Sequence, residues 1–268
     1  MSRKRLIAMF VSLVIIIVLC VLGGAVFVVQ DVQVVIDSAD DVGVSNEDII
    51  KTASVTKGKS IFSISESKVV SNIEKSYPTL KVKGVERVFP NKIILKLAER
   101  VPIIAIKFEG KNEYLILDNN MCAIEKFKAS PDDPYLKTLC VVSGFELSGP
   151  NDIYLGKQLP TSYGEQAVVC QHIMAGLEKK MGLKKMSEFL YGIEFSQSMK
   201  VVYAVTRYNN AKGVIIRIAY DNMKEDKQAV FNKIQKAYEY YLSIDNPELK
   251  KEGYIMMENG EFTHKLHE

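Results

Sequence analysis

The chain opens with Arg3, Lys4 and Arg5, runs through 24 uncharged and mostly apolar residues from Leu6 to Val29, and meets its first acidic residue at Asp31. As a helix rising about 1.5 Å per residue, that run is roughly 36 Å long, enough to cross a hydrocarbon core of about 30 Å with modest tilt. A cleaved signal peptide has a shorter apolar region, about 7 to 15 residues, followed by a small-x-small site. Val26 to Gln30 offers no such site, and Cys20 follows the bulky Leu19, where lipoprotein processing needs a small residue. The run reads as an uncleaved single-pass anchor. The basic triplet before it puts residues 1–5 in the cytoplasm and everything from about Asp31 onward outside, by the positive-inside rule.

The anchor changes what the charge balance means. Of the 35 basic residues, three precede the span, leaving 32 against 32 acidic residues in the outer part. A near-neutral outer part has no basic surface for nucleic acid. Cys122, Cys140 and Cys170 are an odd and scattered set, so the outer part is not built on a disulfide framework and they read as small buried hydrophobes, with at most one bridge. The outer part is long enough for one large domain or two of ordinary size.

Between Asp31 and Arg100 the signals alternate quickly. Val32, Val34 and Ile36 have the period of a half-buried strand. Ser45 before Asn46, Glu47 and Asp48 is a capping-box variant opening a helix with Ile49, Ile50 and Ala53 inward. Ser65 is placed to cap a second helix carrying Val69, Val70, Ile73 and Tyr77, which Pro78 ends. Val82–Phe89 and Lys92–Ala98 then form an antiparallel hairpin across Pro90 and Asn91. The order strand, helix, helix, strand, strand predicts a three-stranded sheet covered on one face by two helices.

That order resembles a POTRA domain. Its end, from Arg87-Val88-Phe89-Pro90-Asn91 through Glu99-Arg100-Val101-Pro102, resembles the bacterial division family FtsQ/DivIB, whose members read as aromatic-Pro, an alternating strand, then Glu-Arg-x-Pro. Pro90 fixes φ at the turn and Pro102 stops a strand from running on, so the stretch reads as an inter-domain corner. Glu99 and Arg100 are taken as an exposed pair at that joint, contributing about 0 to 1 kcal/mol. Pro90, Glu99, Arg100 and Pro102 are thus structural residues of the family motif.

Past Pro102 the resemblance continues into the family's second, β-rich domain. Ile103–Phe108, Tyr114–Asp118, Met121–Lys126 and Thr138–Gly144 read as strands, and 146–163, with Gly149, Pro150, Gly156 and Pro160, as an irregular and mobile loop. A helix from Glu165 to Met181 stops at Gly182. Val201–Arg207 and Val214–Tyr220 flank Asn209–Gly213 as a hairpin, and a last helix carries Val230, Ile234, Ala237, Tyr238 and Tyr241. Lys251 to Phe262 resembles the family's closing strand and turn. The expected architecture is α+β: a tail (1–5), a transmembrane helix (6–29), a POTRA domain (31–100), a β-rich mixed α/β domain (101–262) and a short C-terminal tail (263–268).

Catalytic signatures are weighed and set aside. Ser65-x-x-Lys68 matches the Ser-x-x-Lys of penicillin-binding proteins, but the same pattern recurs at Ser54-x-x-Lys57, and neither Ser-x-Asn nor Lys-Thr/Ser-Gly occurs in the chain. As a helix cap, Ser65 would cost about 1 kcal/mol on replacement by alanine and no chemistry. His264 and His267, with Glu268, have an i, i+3 spacing for a metal, but read as a solvated tail; His172 stands alone within a helix. There is no Cys-x-x-Cys, Gly-rich phosphate loop, His-Glu-x-x-His or Gly-x-Ser-x-Gly. No cofactor, metal or small-molecule substrate is expected, and no enzymatic activity.

The resemblance implies a bitopic, non-catalytic scaffold of the division machinery, located in the cell membrane at the septum. Its outer part would bind FtsL-like and FtsB/DivIC-like coiled-coil proteins and couple division to septal wall synthesis. A POTRA-bearing adaptor in secretion or sporulation is the alternative, with an anchored wall enzyme behind it. For partner binding, Gly253–Glu258 has two readings that stand open: a free sheet edge that takes a strand from the partner, with Tyr254 and Met256 on one face and Ile255 and Met257 on the other, or an internal strand.

Overall fold

The alternation in Lys92–Glu99 (β3) buries Ile93, Leu95 and Leu97 almost completely, which makes β3 the centre of a three-stranded sheet. β1 (Asp31–Asp37) lies parallel to it from Asp31 opposite Lys92 to Asp37 opposite Ala98, and β2 (Leu80–Val88) antiparallel on the other side. α1 (Asn46–Thr52) and α2 (Glu66–Ser76) contribute Ile49, Val69 and Ile73 to the same core. The computed structural model describes residues 10–15, 26–38, 42–149, 153–196, 198–220 and 227–266. By contacts the chain divides into two units, Met1–Glu99 and Arg100–Glu268.

The two helix starts differ in a way their sequences conceal. The Ser45 hydroxyl accepts the Asp48 N–H at 3.1 Å and donates to the Asp48 carboxylate at 2.7 Å, a formed cap. Ser65 occupies the corresponding position on α2, but makes no side-chain capping bond; its hydroxyl lies 3.1 Å from that of Ser67 instead. The expected cost of losing Ser65 is therefore too high.

Of the apolar N-terminal run, residues 10–15 are described and helical, and residues 26–29 lead into the sheet; the rest lies outside the described residues. Among the described residues, no helix is long and apolar enough to cross a membrane.

The second unit is a nine-stranded mixed sheet in the order β12-β11-β10-β9-β8-β7-β4-β5-β6. Its first strands are β4 (Ile104–Phe108), β5 (Glu113–Leu117), β6 (Ala123–Lys128) and β7 (Cys140–Leu147). β8 (Leu190–Phe195), β9 (Val201–Tyr208), β10 (Ala211–Ala219), β11 (Tyr254–Glu258) and β12 (Glu261–Lys265) complete it. The main core sets Ile104, Ile106, Ile193, Val202 and Ile216 of the sheet against α4 (Glu165–Phe189) and α5 (Lys227–Ser243), with the Phe189 ring edge-on to Tyr238 and Tyr241. On the opposite face, Ala105, Tyr114 and Ile116 pack with Leu136 of the short α3 (Pro134–Thr138) and with Leu139.

Three expectations for this unit need correcting. Gly182, at φ 76° and ψ 166°, breaks α4 internally rather than ending it; helix resumes to Phe189 and passes directly into β8. The loop after β7 is aperiodic but tied down, since the Gly156 N–H donates to Ala123 O at 2.7 Å, the Ala123 N–H to Lys157 O at 2.9 Å and the Leu159 N–H to Met121 O at 2.7 Å. Arg100 is not an exposed joint residue. Its Nη1 lies 2.6 Å from Asp118 Oδ2, with both side chains 2% exposed, while Glu99 accepts a hydrogen bond from the Ser38 hydroxyl at 2.7 Å. The other Asp118 oxygen accepts the N–H groups of Asn120 (2.8 Å) and Cys122 (2.9 Å), shaping the turn between β5 and β6.

Cys140 and Cys170 are fully buried free thiols. Desolvation pushes Cys170 up to about 12 and Cys140 well above the usual thiol range, the latter also through its proximity to Cys170. Because the thiolate is the reactive form, neither should react with iodoacetamide at pH 8 in the folded chain, and mass spectrometry should show their labelling rising only with denaturant. A folded pKa above the unfolded one means that the native state retains protons the unfolded chain loses, so these groups subtract stability as pH rises past the ordinary thiol value of 9.0.

Two stability measurements probe the polar contacts. Ser45→Ala should cost about 1 kcal/mol and Ser65→Ala clearly less, by guanidinium unfolding followed with circular dichroism. Arg100→Met leaves the Asp118 charge buried without its cation and should cost about 3–5 kcal/mol. Arg100→Met combined with Asp118→Asn removes both charges while an amide oxygen still serves the turn, and should recover most of that loss. A double variant as unstable as Arg100→Met would show that the pair is not the origin of the cost.

Candidate functional site

The nine-stranded sheet ends in β6 on one side and β12 on the other. An unpaired strand edge exposes a row of N–H and C=O groups, so each edge must be covered, blunted or used. Loop 156–159 covers the start of β6 through its hydrogen bonds to Met121 and Ala123, and exposed Lys126 and Lys128 punctuate the remainder. β12 has no comparable cover: among the described residues, no backbone hydrogen bond is made on its outer side.

The hairpin that presents β12 follows from two residues. Asn259 and Gly260 both have positive φ, 51° and 88°, the geometry of a two-residue turn whose twist matches its strands. Glu258 then faces Glu261, and the register continues through Met257–Phe262, Met256–Thr263, Ile255–His264 and Tyr254–Lys265. In such a hairpin the pair flanking the turn is hydrogen-bonded and the next is not, so the N–H and C=O groups of Phe262 and His264 are the ones that point outward. Phe262 packs against the main core, and Lys265 pairs with Glu258 across the hairpin. His264 is held by a 3.0 Å contact between its Nε2 and Glu252 O.

On its inner side β11 meets β10 in parallel only at Ile215–Tyr254 and Ile216–Ile255. Beyond these rungs is a cleft of about 270 Å³ lined by Arg217, Ile218, Ala219, Lys233, Met257, Gly260 and Phe262. Lys233 of α5 donates to Ala219 O at 2.7 Å, serving the carbonyl at the end of β10.

Tyr254, Ile255, Met256 and Met257 therefore lie one strand inside the edge. Of the two readings left open for Gly253–Glu258, the free edge is ruled out and the internal strand holds: β11 is flanked on both sides, with Ile255 fully buried and Met256 8% exposed, and the strand after the Asn-Gly turn is outermost. Thr263 to Lys265 are strand, not tail. His267 and Glu268 lie outside the described residues, and among the described residues no cluster of His, Cys, Asp and Glu is arranged to hold a metal ion. Ser54, Ser65 and Lys68 line one open cleft beside α2, but among the described residues no hydrogen bond joins either serine hydroxyl to a lysine amine. Pro90 follows a cis peptide in the β2–β3 turn, and Pro102 lies between buried Arg100 and β4.

Residues 33–100 match the model of the FtsQ-type POTRA domain. The chain is also similar to the cell division protein DivIB of Clostridium tetani (strain Massachusetts / E88), 26% identical over 221 residues that cover 82% of this chain and 74% of that protein. The chain thus carries an FtsQ-type POTRA sheet followed by a large mixed sheet. The two likenesses point to the bacterial FtsQ/DivIB family of cell division proteins.

Proposed function

We propose that this protein is a non-catalytic, single-pass scaffold of the division machinery that takes up a strand from a small membrane partner along β12. The observation that carries the reading is the contrast between the sheet's two edges, one covered and lysine-bearing, the other open and held by an Asn-Gly hairpin. An incoming strand gains main-chain hydrogen bonds at Phe262 and His264, and its alternate side chains meet the β12 face for specificity. FtsL-like and FtsB/DivIC-like coiled-coil proteins are the partners the family relationship suggests, in the coupling of division to septal wall synthesis. The anchor reading is supported by the 24-residue uncharged run, by the helical residues 10–15 and by the exposure of Phe10, Val11, Leu13, Val14 and Ile15. Arg3, Lys4 and Arg5 orient it with the C-terminal units outside.

His264→Pro removes one outward N–H without deleting a bond to β11, whereas His264→Ala removes only the ring. The full-length chain, tagged at its N-terminus and purified from detergent-solubilised membranes of its host, should capture two small coiled-coil proteins in near-equal amounts as the unaltered chain and as His264→Ala. His264→Pro should capture at least about tenfold less, with its thermal transition nearly unmoved, the loss reflecting about 1.4 kcal/mol or more of binding. Undiminished capture by His264→Pro would overturn β12 as the docking strand.

A further inference from the structure

The first unit carries an aromatic cluster in which half-buried Phe27 rests on the unit's core while Phe62 and Phe89 face outward. Phe27, Phe62 and Phe89 stand with ring centroids 5.5, 5.6 and 5.8 Å apart, brought together from the end of the apolar run, a 3-10 turn (Ile61–Ser63) and the β2–β3 turn. Phe62 is 62% exposed and Phe89 55%, and Val26 and Val88 beside them in sequence are also open. Three large rings left in contact with water form an apolar patch rather than a scatter of single residues, and such patches mark a surface that meets something apolar.

The backbone identifies what that is. The Ile61 N–H donates to Phe27 O at 2.9 Å, the Val29 N–H to Lys59 O at 2.8 Å and the Gly58 N–H to Val29 O at 2.8 Å. Gln30 and Asp31 then donate to Asn91 O. Arg87 fixes the same turn from below, donating to Ile61 O at 3.3 Å and Ile64 O at 2.6 Å. The apolar run thus enters the folded unit with no linker. About 20 residues suffice to cross a hydrocarbon core, and counted from Leu6 they end near Ala25. The surplus, Val26 to Val29, is the segment stitched to the unit, so Phe27 falls at the level of the headgroups. Lys57 and Lys59, exposed on either side of Gly58, supply positive charge where anionic headgroups would lie.

We infer that Phe27, Phe62 and Phe89 are a membrane-seating patch: the three rings enter the outer interface of the bilayer that holds the anchor, fixing the tilt of the first unit on the membrane. The inference rests on the anchor reading above. Aromatic rings at the end of a span are favoured at the interface, and rings on a rigid sheet end convert that preference into an orientation.

The chain contains no tryptophan, so each substitution introduces a unique fluorophore. Full-length Phe62→Trp and Phe89→Trp, and as a control Thr79→Trp, are reconstituted in phosphatidylcholine–phosphatidylglycerol vesicles with lipids brominated near the headgroup end of the acyl chains. Thr79 is exposed just before β2, whose far end adjoins the patch about 26 Å away at about 3.3 Å per residue. Emission from the Phe62→Trp and Phe89→Trp chains should be blue-shifted and quenched at least about threefold more by brominated lipid than that from Thr79→Trp. If the chain floats with the vesicles but both patch tryptophans emit like the control and are quenched by aqueous iodide, the seating patch is overturned and the anchor stands. If the chain does not float with the vesicles, the anchor reading itself fails and takes the patch with it.

Discussion

A cation and an anion removed from water at the first residue of the second unit organise much of the chain beyond it. Arg100 and Asp118 are each about as buried as a core leucine, and a charge in that setting is tolerable only with its counterion and its hydrogen bonds in place. Asp118 satisfies this by giving one oxygen to Arg100 and the other to two turn N–H groups. The pair therefore fixes where the chain enters and how β5 turns into β6, and so the register of the β4–β5–β6 meander. β7 lies parallel to β4, and β8 parallel to β7, so the later strands extend a sheet whose first three are already set.

The first unit was legible in the sequence because its determinants are local. Alternation in Val32–Ile36 and Ile93–Leu97, a serine before acidic residues at Ser45, and Pro90-Asn91 between two apolar runs each act within a few residues of the element they specify. The second unit was legible only where that held. β9 and β10 announce themselves by their hairpin, but β8 follows α4 without glycine or proline between Phe189 and Leu190, leaving no boundary to read. The role of Arg100 was invisible for another reason: its partner is 18 residues away, and nothing about an arginine before a proline distinguishes a buried ion pair from a solvated one.

Of the two readings open for Gly253–Glu258, the internal strand is the one the sheet adopts. Tyr254 to Met257 have the apolar character of a strand that needs covering, and the structure covers them with β12. The Asn259-Gly260 signal for a two-residue hairpin was present. What obscured it was the content of β12 itself, five residues of which Glu261, His264 and Lys265 are polar, the composition of a frayed terminus. The same polarity that disguises the strand also suits an edge, since charged side chains limit indiscriminate pairing while leaving the backbone available to a matched strand.

The parallel pairing of β1 with β3 has a mechanical meaning. β1 begins at Asp31, immediately after the apolar run, and β3 ends at Glu99, the last residue of the first unit, so the chain enters and leaves along two neighbouring strands that point the same way. Tension between those two points acts along the strands and loads their seven register pairs in shear, all together, instead of peeling them apart one after another. Strand β3 is held on its other flank by β2 along nearly its whole length. Pulled along that line, the small sheet would behave as a clamp rather than a zipper.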